Sequence, residues 1–257
     1  MNTLRLALRQ ARYDNKAFWR NPAAAFFTFV FPLMFLVIFN LVFGGNEIET
    51  ESGTIDTSTF YVPAIIAMSV VNTCFNAIGQ TVVADRDRGL LKRWRGTPLP
   101  PAAFFAGRIV QTVVVAALLV VIVIAFGAAF YGVDVQQEKL GGMAATLAVG
   151  AATFCALGLA VTAFIPNADA APAVVNAIIL PLLFISDVFI PMEDAPSWLR
   201  DLASVFPVSH LAESMHAAFD PLSGGSGFDL KGLAVMAAWG LAGVVAAVRY
   251  FSWEPRR

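Results

Sequence analysis

The segment Asp85-Arg86-Asp87-Arg88-Gly89-Leu90-Leu91-Lys92-Arg93-Trp94-Arg95-Gly96-Thr97-Pro98 separates two long apolar stretches, Phe60 to Val83 and Ile109 to Tyr131. Both neighbours are long enough to cross a ~30 Å hydrocarbon core as helices at 1.5 Å rise per residue. The charged insert therefore reads as a surface element between two membrane spans. Leu90, Leu91 and Trp94 give it one apolar face, the pattern of a short amphipathic helix lying on the bilayer, where a cytosolic partner can push on it. Composition agrees. Hydrophobic residues make up 58% of the 257-residue chain and charged residues 14%, with mean hydropathy +0.70, outside the soluble globular range. No sizeable soluble domain is left over. The alternation of a barrel strand is missing, so lipid dictates helices.

Working outward, we expect an all-α polytopic membrane protein, one transmembrane domain over residues 1–257. Six spans are read at about 23–43, 60–83, 109–131, 143–165, 172–190 and 232–250, with the charged loop over 84–107. Of 17 Lys and Arg residues, 14 fall on one side, in the leader, the insert and its exit, and the tail. The positive-inside rule then puts both termini and the insert in the cytosol. In the leader, 1–21, Arg5, Arg9, Arg12, Lys16 and Arg20 fall within an arc of about 80° on a helix. Leu4, Leu8, Ala11, Phe18 and Trp19 occupy a neighbouring arc, so an interfacial helix is expected, ending at Asn21-Pro22. It is either a topology-setting anchor or a partner-docking element. Outside, residues 191–229 carry apolar residues at helical spacing (Trp198, Leu199, Leu202, Val205, Phe206, then Leu211 and Met215) on either side of Pro207. Two short re-entrant helices dipping into the outer leaflet are expected, followed by a flexible Gly/Ser connector.

Chemistry is sparse. No Gly-Lys dipeptide exists, hence no phosphate-binding loop of the GxxxxGK[ST] type, and enzymatic activity in this chain is not expected. Metal sites are not expected either. Cys74 and Cys155 read as membrane-embedded packing residues, and His210 and His216 as surface or cap residues. Asn72, Asn76 and Gln80, at i, i+4 and i+8, form one polar stripe on the second span, either for interhelical hydrogen bonds or for a hydrated path. No acid or base lies deep in a span, which disfavours an ion-coupled transporter.

These features together resemble the permease subunits of ABC-2 type ABC exporters, in the daunorubicin-resistance-like branch. The resemblance rests on the basic leader with Pro22, Pro32 and Val42-Phe43-Gly44-Gly45, and on the loop Asp85-Arg86-Asp87-Arg88-Gly89 running to Lys92-Arg93-Trp94-Arg95-Gly96-Thr97-Pro98-Leu99. It rests also on Phe189-Ile190-Pro191-Met192-Glu193, Pro196-Ser197-Trp198-Leu199 and Pro207-Val208, and on six spans with both ends inside. The first two acids of the loop are Asp where Glu is usual in that family.

The resemblance implies a bacterial inner-membrane, multi-pass permease subunit of an ATP-driven exporter for a hydrophobic drug, antibiotic or lipid-like compound. Two copies of a separate cytosolic ATPase would bind ATP and Mg, and this chain itself would hold no cofactor. A second permease, identical or related, would complete a homodimer or heterodimer in contact with membrane lipids, with no nucleic-acid partner. Arg5, Arg9, Arg12 and Lys16 would belong to a connecting helix. Asp85, Asp87, Arg88, Gly89, Leu90, Leu91, Arg93 and Trp94 would couple to the ATPase. Asn72, Asn76, Gln80 and Phe184 would line the substrate path. Pro191, Glu193, Trp198, Leu199 and Pro207 would form the external gate. A polysaccharide or glycolipid exporter of the same family, or a non-transporting scaffold or sensor subunit, is the alternative.

Overall fold

A helix with Asn21 as its cap and Pro22 as its first residue sets the start of the bundle in the computed structural model, which describes residues 3–45, 47–50, 53–95, 100–186, 188–189, 195–222 and 224–253. The helix preceding it is α1 (Thr3–Trp19), and α2 (Pro22–Phe43) follows, with the Asn21 side chain accepting from the Ala24 N–H. A two-stranded antiparallel hairpin, β1 (Glu47–Thr50) and β2 (Gly53–Asp56), then links α2 to α3 (Thr57–Val71). Its register pairs Ile48 with Ile55. The all-helical expectation did not include this hairpin. Asn40 ties the two helices below it, donating to the Leu36 carbonyl and accepting from the Ser58 hydroxyl at 2.6 Å.

α3 runs through a π-helical turn, Asn72–Asn76, into α4 (Ala77–Asp87), making one rod over Thr57–Asp87. At 1.5 Å per residue such a rod is about 46 Å long. Its α3 half is buried on all sides, which is why its sequence is apolar with no face of its own. After the turn at Arg88 and Gly89 comes the short α5 (Leu90–Arg95), then α6 (Pro101–Tyr131), which starts eight residues before the expected span. α7 (Leu140–Val161) and α11 (Leu230–Tyr250) pack closely through small residues. A Cβ on Gly240 would lie 2.9 Å from the Thr153 hydroxyl, and one on Gly243 would lie 3.0 Å from the Ala156 backbone. The small-residue stripes of the fourth and sixth expected spans are thus used within one chain.

Among the described residues, five helices are long and apolar enough to cross a membrane: Pro22–Phe43, Thr57–Asp87, Ala102–Tyr131, Gln137–Val161 and Leu230–Tyr250. The expected span over 172–190 differs. The helix there, α8, covers Ala171–Phe184, and 14 residues reach only about 21 Å. Pro181 lies in its last turn, and Asp187 lies outside the described residues.

α9 (Ser197–Ala203) and α10 (Pro207–Phe219) form the expected helical pair. Pro207 is buried at the first position of α10, where its missing N–H costs nothing. The pair re-enters the bundle. The Trp239 indole, nine residues into α11, donates to the Val205 carbonyl at 2.7 Å, and Leu211 fills the space beside Gly150 of α7. At the other end of α10, Lys139 donates to the carbonyls of Ala217 and Asp220. Lys139 is almost wholly buried and acts as a C-terminal cap, a use of charge that its sequence position outside the spans did not reveal. Trp198 is exposed and Leu199 half-buried, while Pro191 and Glu193 lie outside the described residues.

Candidate functional site

The last turn of α4 continues the buried stripe Ile78, Gly79, Val82 and Val83 to Arg86. Only 1% of Arg86 is exposed. Its guanidinium donates to the carbonyls of Thr162 at 3.0 Å, Ile165 at 2.7 Å and Pro166 at 3.1 Å. Those are the orphan acceptors that follow the C-terminus of α7, where a cation also complements the helix dipole. The flanking acids turn inward as well. Asp85 is paired with Arg108 of α6 at 2.6 Å, and Asp87 accepts from the Ala168 N–H at 2.6 Å, just before α8. Three successive residues thus clamp three different neighbours. The two acids expected to reach a partner are engaged inside the chain.

The insert is not one helix but an elbow. Gly89 has φ +70°, the left-handed region, and separates α4 from α5. Within α5, Leu91 is fully buried, Leu90 half-buried, and Trp94 lies against Phe104 with ring centroids 5.2 Å apart. Arg88, Lys92 and Arg93 remain exposed. The amphipathic reading of the insert therefore holds for α5, and the handle it offers is basic.

α1 lies along the first half of α6. Ala7, Gln10 and Ala11 form its buried stripe, and Gly107 lets the backbones approach: a Cβ there would stand 2.6 Å from the Gln10 Cβ and 2.7 Å from the Ala7 carbonyl oxygen. Arg5, Arg9, Arg12, Lys16 and Arg20 are all exposed on the far side, as their shared arc requires. The apolar residues Leu4, Leu8 and Trp19 are also exposed, so α1 has three faces: small, basic and apolar. The sequence showed the last two. The small face was hidden among ordinary alanines.

Between α1, α2, the π turn, α4 and α6 lies a cavity of about 830 Å³, within the range of small-molecule sites. Asn72, Asn76 and Gln80 line it together, and they form a chain: Asn76 donates to Asn72 at 2.7 Å and Gln80 donates to Asn76. Gln111, Thr112, Ser69, Thr73 and Thr28 add polar groups, while Phe18, Phe27, Pro32 and Leu119 add apolar surface. Its rim carries Asp14, Asp85, Arg88 and Arg108. The polar stripe and the charged elbow, separate in the sequence, meet in one cavity. The π turn that aims the stripe is propped by α7, where a Cβ on Gly158 would stand 2.8 Å from the Phe75 carbonyl oxygen. π turns of this kind recur at functional sites, and nothing in the sequence marks this one.

Phe184 stands elsewhere. It is 53% exposed and packs on Phe189 at 5.0 Å, not on the cavity. Asp14 was not singled out in the sequence. Gln10 donates to its Oδ1 at 2.9 Å, its Oδ2 has no hydrogen-bond partner among the described residues, and burial raises its pKa against the pull of Arg108.

The model of the ABC-2 type transporter family matches residues 9–219, which takes in the leader, the elbow, the cavity and the re-entrant pair. The chain belongs to that family. Family membership makes it the membrane subunit of a transporter, a non-catalytic part. It is 27% identical over 226 residues to the daunorubicin resistance ABC transporter permease protein DrrB1 of Streptomyces coeruleorubidus, covering 84% of this chain and 74% of that one. To a probable multidrug ABC transporter permease, YbhR, of Escherichia coli (strain K12), it is 25% identical over 162 residues. That match covers 62% of this chain and 43% of the longer relative. In this ABC-2 permease one end of the bundle holds a polar cavity directly beside the exposed, basic α5.

Proposed function

We propose that this chain is the permease subunit of an ATP-driven exporter that moves a hydrophobic drug, antibiotic or lipid-like compound, with ATP and Mg held by a separate ATPase docked on α5. The observation that carries the reading is the shared boundary of cavity and elbow: Asp85 and Arg88 belong to both. A push on Lys92 and Arg93 would pass through Gly89 into α4, and so into the wall formed by Gln80 and Asn76. Asp85, Arg86 and Asp87 supply the rigidity that such a lever needs, through their ties to α6, α7 and the start of α8. The cavity's mixed lining suits an amphipathic guest. Among its described aromatic residues are Phe18 and Phe27, with no Trp or Tyr, which favours an apolar compound over a stacked sugar chain.

In this reading the elbow end is cytosolic, α8 with the residues after it completes a sixth crossing, and a second permease copy or relative closes the path. The test is affinity purification of the tagged chain from native membranes followed by intact-complex mass spectrometry. We expect two ATPase copies and two permeases, and expect Arg93→Glu to lose the ATPase while the chain still inserts. Recovery without any ATPase, where a control exporter stays intact, would sink the coupling reading.

A further inference from the structure

At the opposite end of the bundle from the elbow, His210 and Glu213 of α10 meet Asp229, the residue just before α11. One donor atom from each lies within 4.8 Å of the others. The histidine decides what the cluster is for. Its ring is 3% exposed, and Nε2 lies 2.9 Å from the Ser204 carbonyl oxygen. A carbonyl only accepts, so Nε2 carries a hydrogen. Nδ1 of the neutral ring is then a lone pair, buried, and it points at the Glu213 Oε2 at 3.4 Å. Two acceptors face each other with a second carboxylate beside them. A cation between them resolves the conflict.

We propose that His210 Nδ1, Glu213 and Asp229 form a site for a divalent transition-metal cation of the zinc class, which staples the head of α11 to the re-entrant helix α10. Donors around a tetrahedral zinc stand roughly 3.3 Å apart when each bond is ~2.0–2.1 Å. The His210–Glu213 separation already has that value. A ring whose second nitrogen donates to a backbone carbonyl is the usual state of a metal-bound histidine, because that bond fixes both tautomer and orientation. One imidazole and two carboxylates suit zinc and its first-row neighbours and leave a position for water or a further ligand. Two negative charges balance the ion.

The surrounding chain accommodates this. Asp229 is held by the Gly232 N–H at 3.0 Å and by the Ser214 hydroxyl at 3.3 Å. Gly232 is required there, because a Cβ would stand 2.2 Å from the Asp229 carboxylate and 3.3 Å from the His210 Cβ. Asp229 follows a stretch with two left-handed glycines, Gly225 and Gly227, the second packed against Lys139, so a metal bond at Asp229 would add a tie at the end of that connector. The competing arrangement is a plain ion pair between protonated His210 and Glu213, with no metal. The experiment separates the two.

The full-length chain, purified in detergent and stripped with chelator, is titrated with Zn²⁺ and, as a spectroscopic stand-in, Co²⁺. The proposal predicts saturable uptake of one ion per chain, visible cobalt bands of low-symmetry coordination, and a melting temperature that rises with added Zn²⁺. Glu213→Gln is the main variant. Its side chain is 48% exposed, so the fold should survive, and metal affinity should fall by about tenfold or more. Asp229→Asn, which keeps a capping oxygen, should behave alike. A wild-type chain that takes up no ion saturably, or uptake unchanged in both variants, would overturn the site and leave the ion pair as the sole content of the cluster.

Discussion

Arg86 is the residue on which the elbow depends. Its three carbonyl partners have no other described donor of comparable reach, and a neutral side chain of similar length would leave them unsatisfied in a buried place. Arg86→Met should therefore cost ~3 kcal/mol or more, given ~1.5–3 kcal/mol for hydrogen bonds to charged groups. The loss would be read as a collapse in detergent-stable yield and melting temperature. Asp85→Asn should cost far less, because its pair with Arg108 is partly open to solvent. Asp14 makes an opposite prediction. Its folded pKa is raised by burial, so the folded chain holds its proton at pH values where the unfolded chain has released it. Stability from this group then falls as pH rises through that window, and the cost of burial is complete at neutral pH. Asp14→Asn should raise the melting temperature at neutral pH by roughly 2 °C or more, and the gain should vanish on acidification into the carboxylate range. A gain that stays constant with pH would show that desolvation of the charge is not its source. At this scale the sequence was only partly legible. The alternation Asp-Arg-Asp marked a special place, yet the arginine was read only as a topology signal. Its position three and four residues beyond Val83 and Val82, on the buried stripe, was the available clue.

Elements were easier to read than their ends. α2, α6, α7 and α11 follow from apolar length, because in lipid the hydrophobic run and the helix are nearly the same thing, and α1 from its basic arc and the stop at Asn21-Pro22. α8 was over-extended, since the apolar run continues past the residue where the helix stops at Phe184. The hairpin over 47–56 and the π turn were missed, the first because its residues are polar, the second because π geometry has no composition of its own. The elbow at Gly89 offers the sharpest element-scale prediction. Nothing lies within 4 Å of a Cβ there, so the only penalty of Gly89→Ala is the left-handed backbone, about 1–2 kcal/mol. Since α4 and α5 are each held by their own contacts, that strain should re-aim α5 more than unfold the bundle. We expect export activity to drop with the melting temperature nearly unchanged, and expect Gly89→Asn, which tolerates positive φ, to retain more activity than Ala. Equal activity in all three would free the elbow angle from any role. Gly107→Val tests the α1 docking in the same way, because Val would drive α1 off α6 at Gln10 and Ala7. Protease sensitivity of residues 3–19 should rise sharply, while an unchanged digestion pattern would contradict the close contact.

The whole molecule is one bundle with two distinct ends. One end carries the basic elbow and the polar cavity; the other carries the pair α9–α10 and the cluster at His210. α2 and α11 expose apolar faces along most of their length, Phe26, Phe27, Phe31 and Leu41 on one, Leu241, Val245 and Val248 on the other. Such faces belong against lipid or another apolar helix. The rod Thr57–Asp87 runs from the hairpin to the elbow, and the cavity lies against its middle and its elbow half. In the proposed function that cavity is the export path. ATP-driven export of a hydrophobic fluorescent dye, measured in membrane vesicles carrying the intact complex, tests it most directly with Asn76→Trp. The indole would fill the cavity at the middle of the polar stripe without touching α5. We predict that export falls by ~10-fold or more, corresponding to at least 1.36 kcal/mol, while the ATPase still co-purifies at wild-type level. Export at the wild-type rate with the cavity filled would contradict the account.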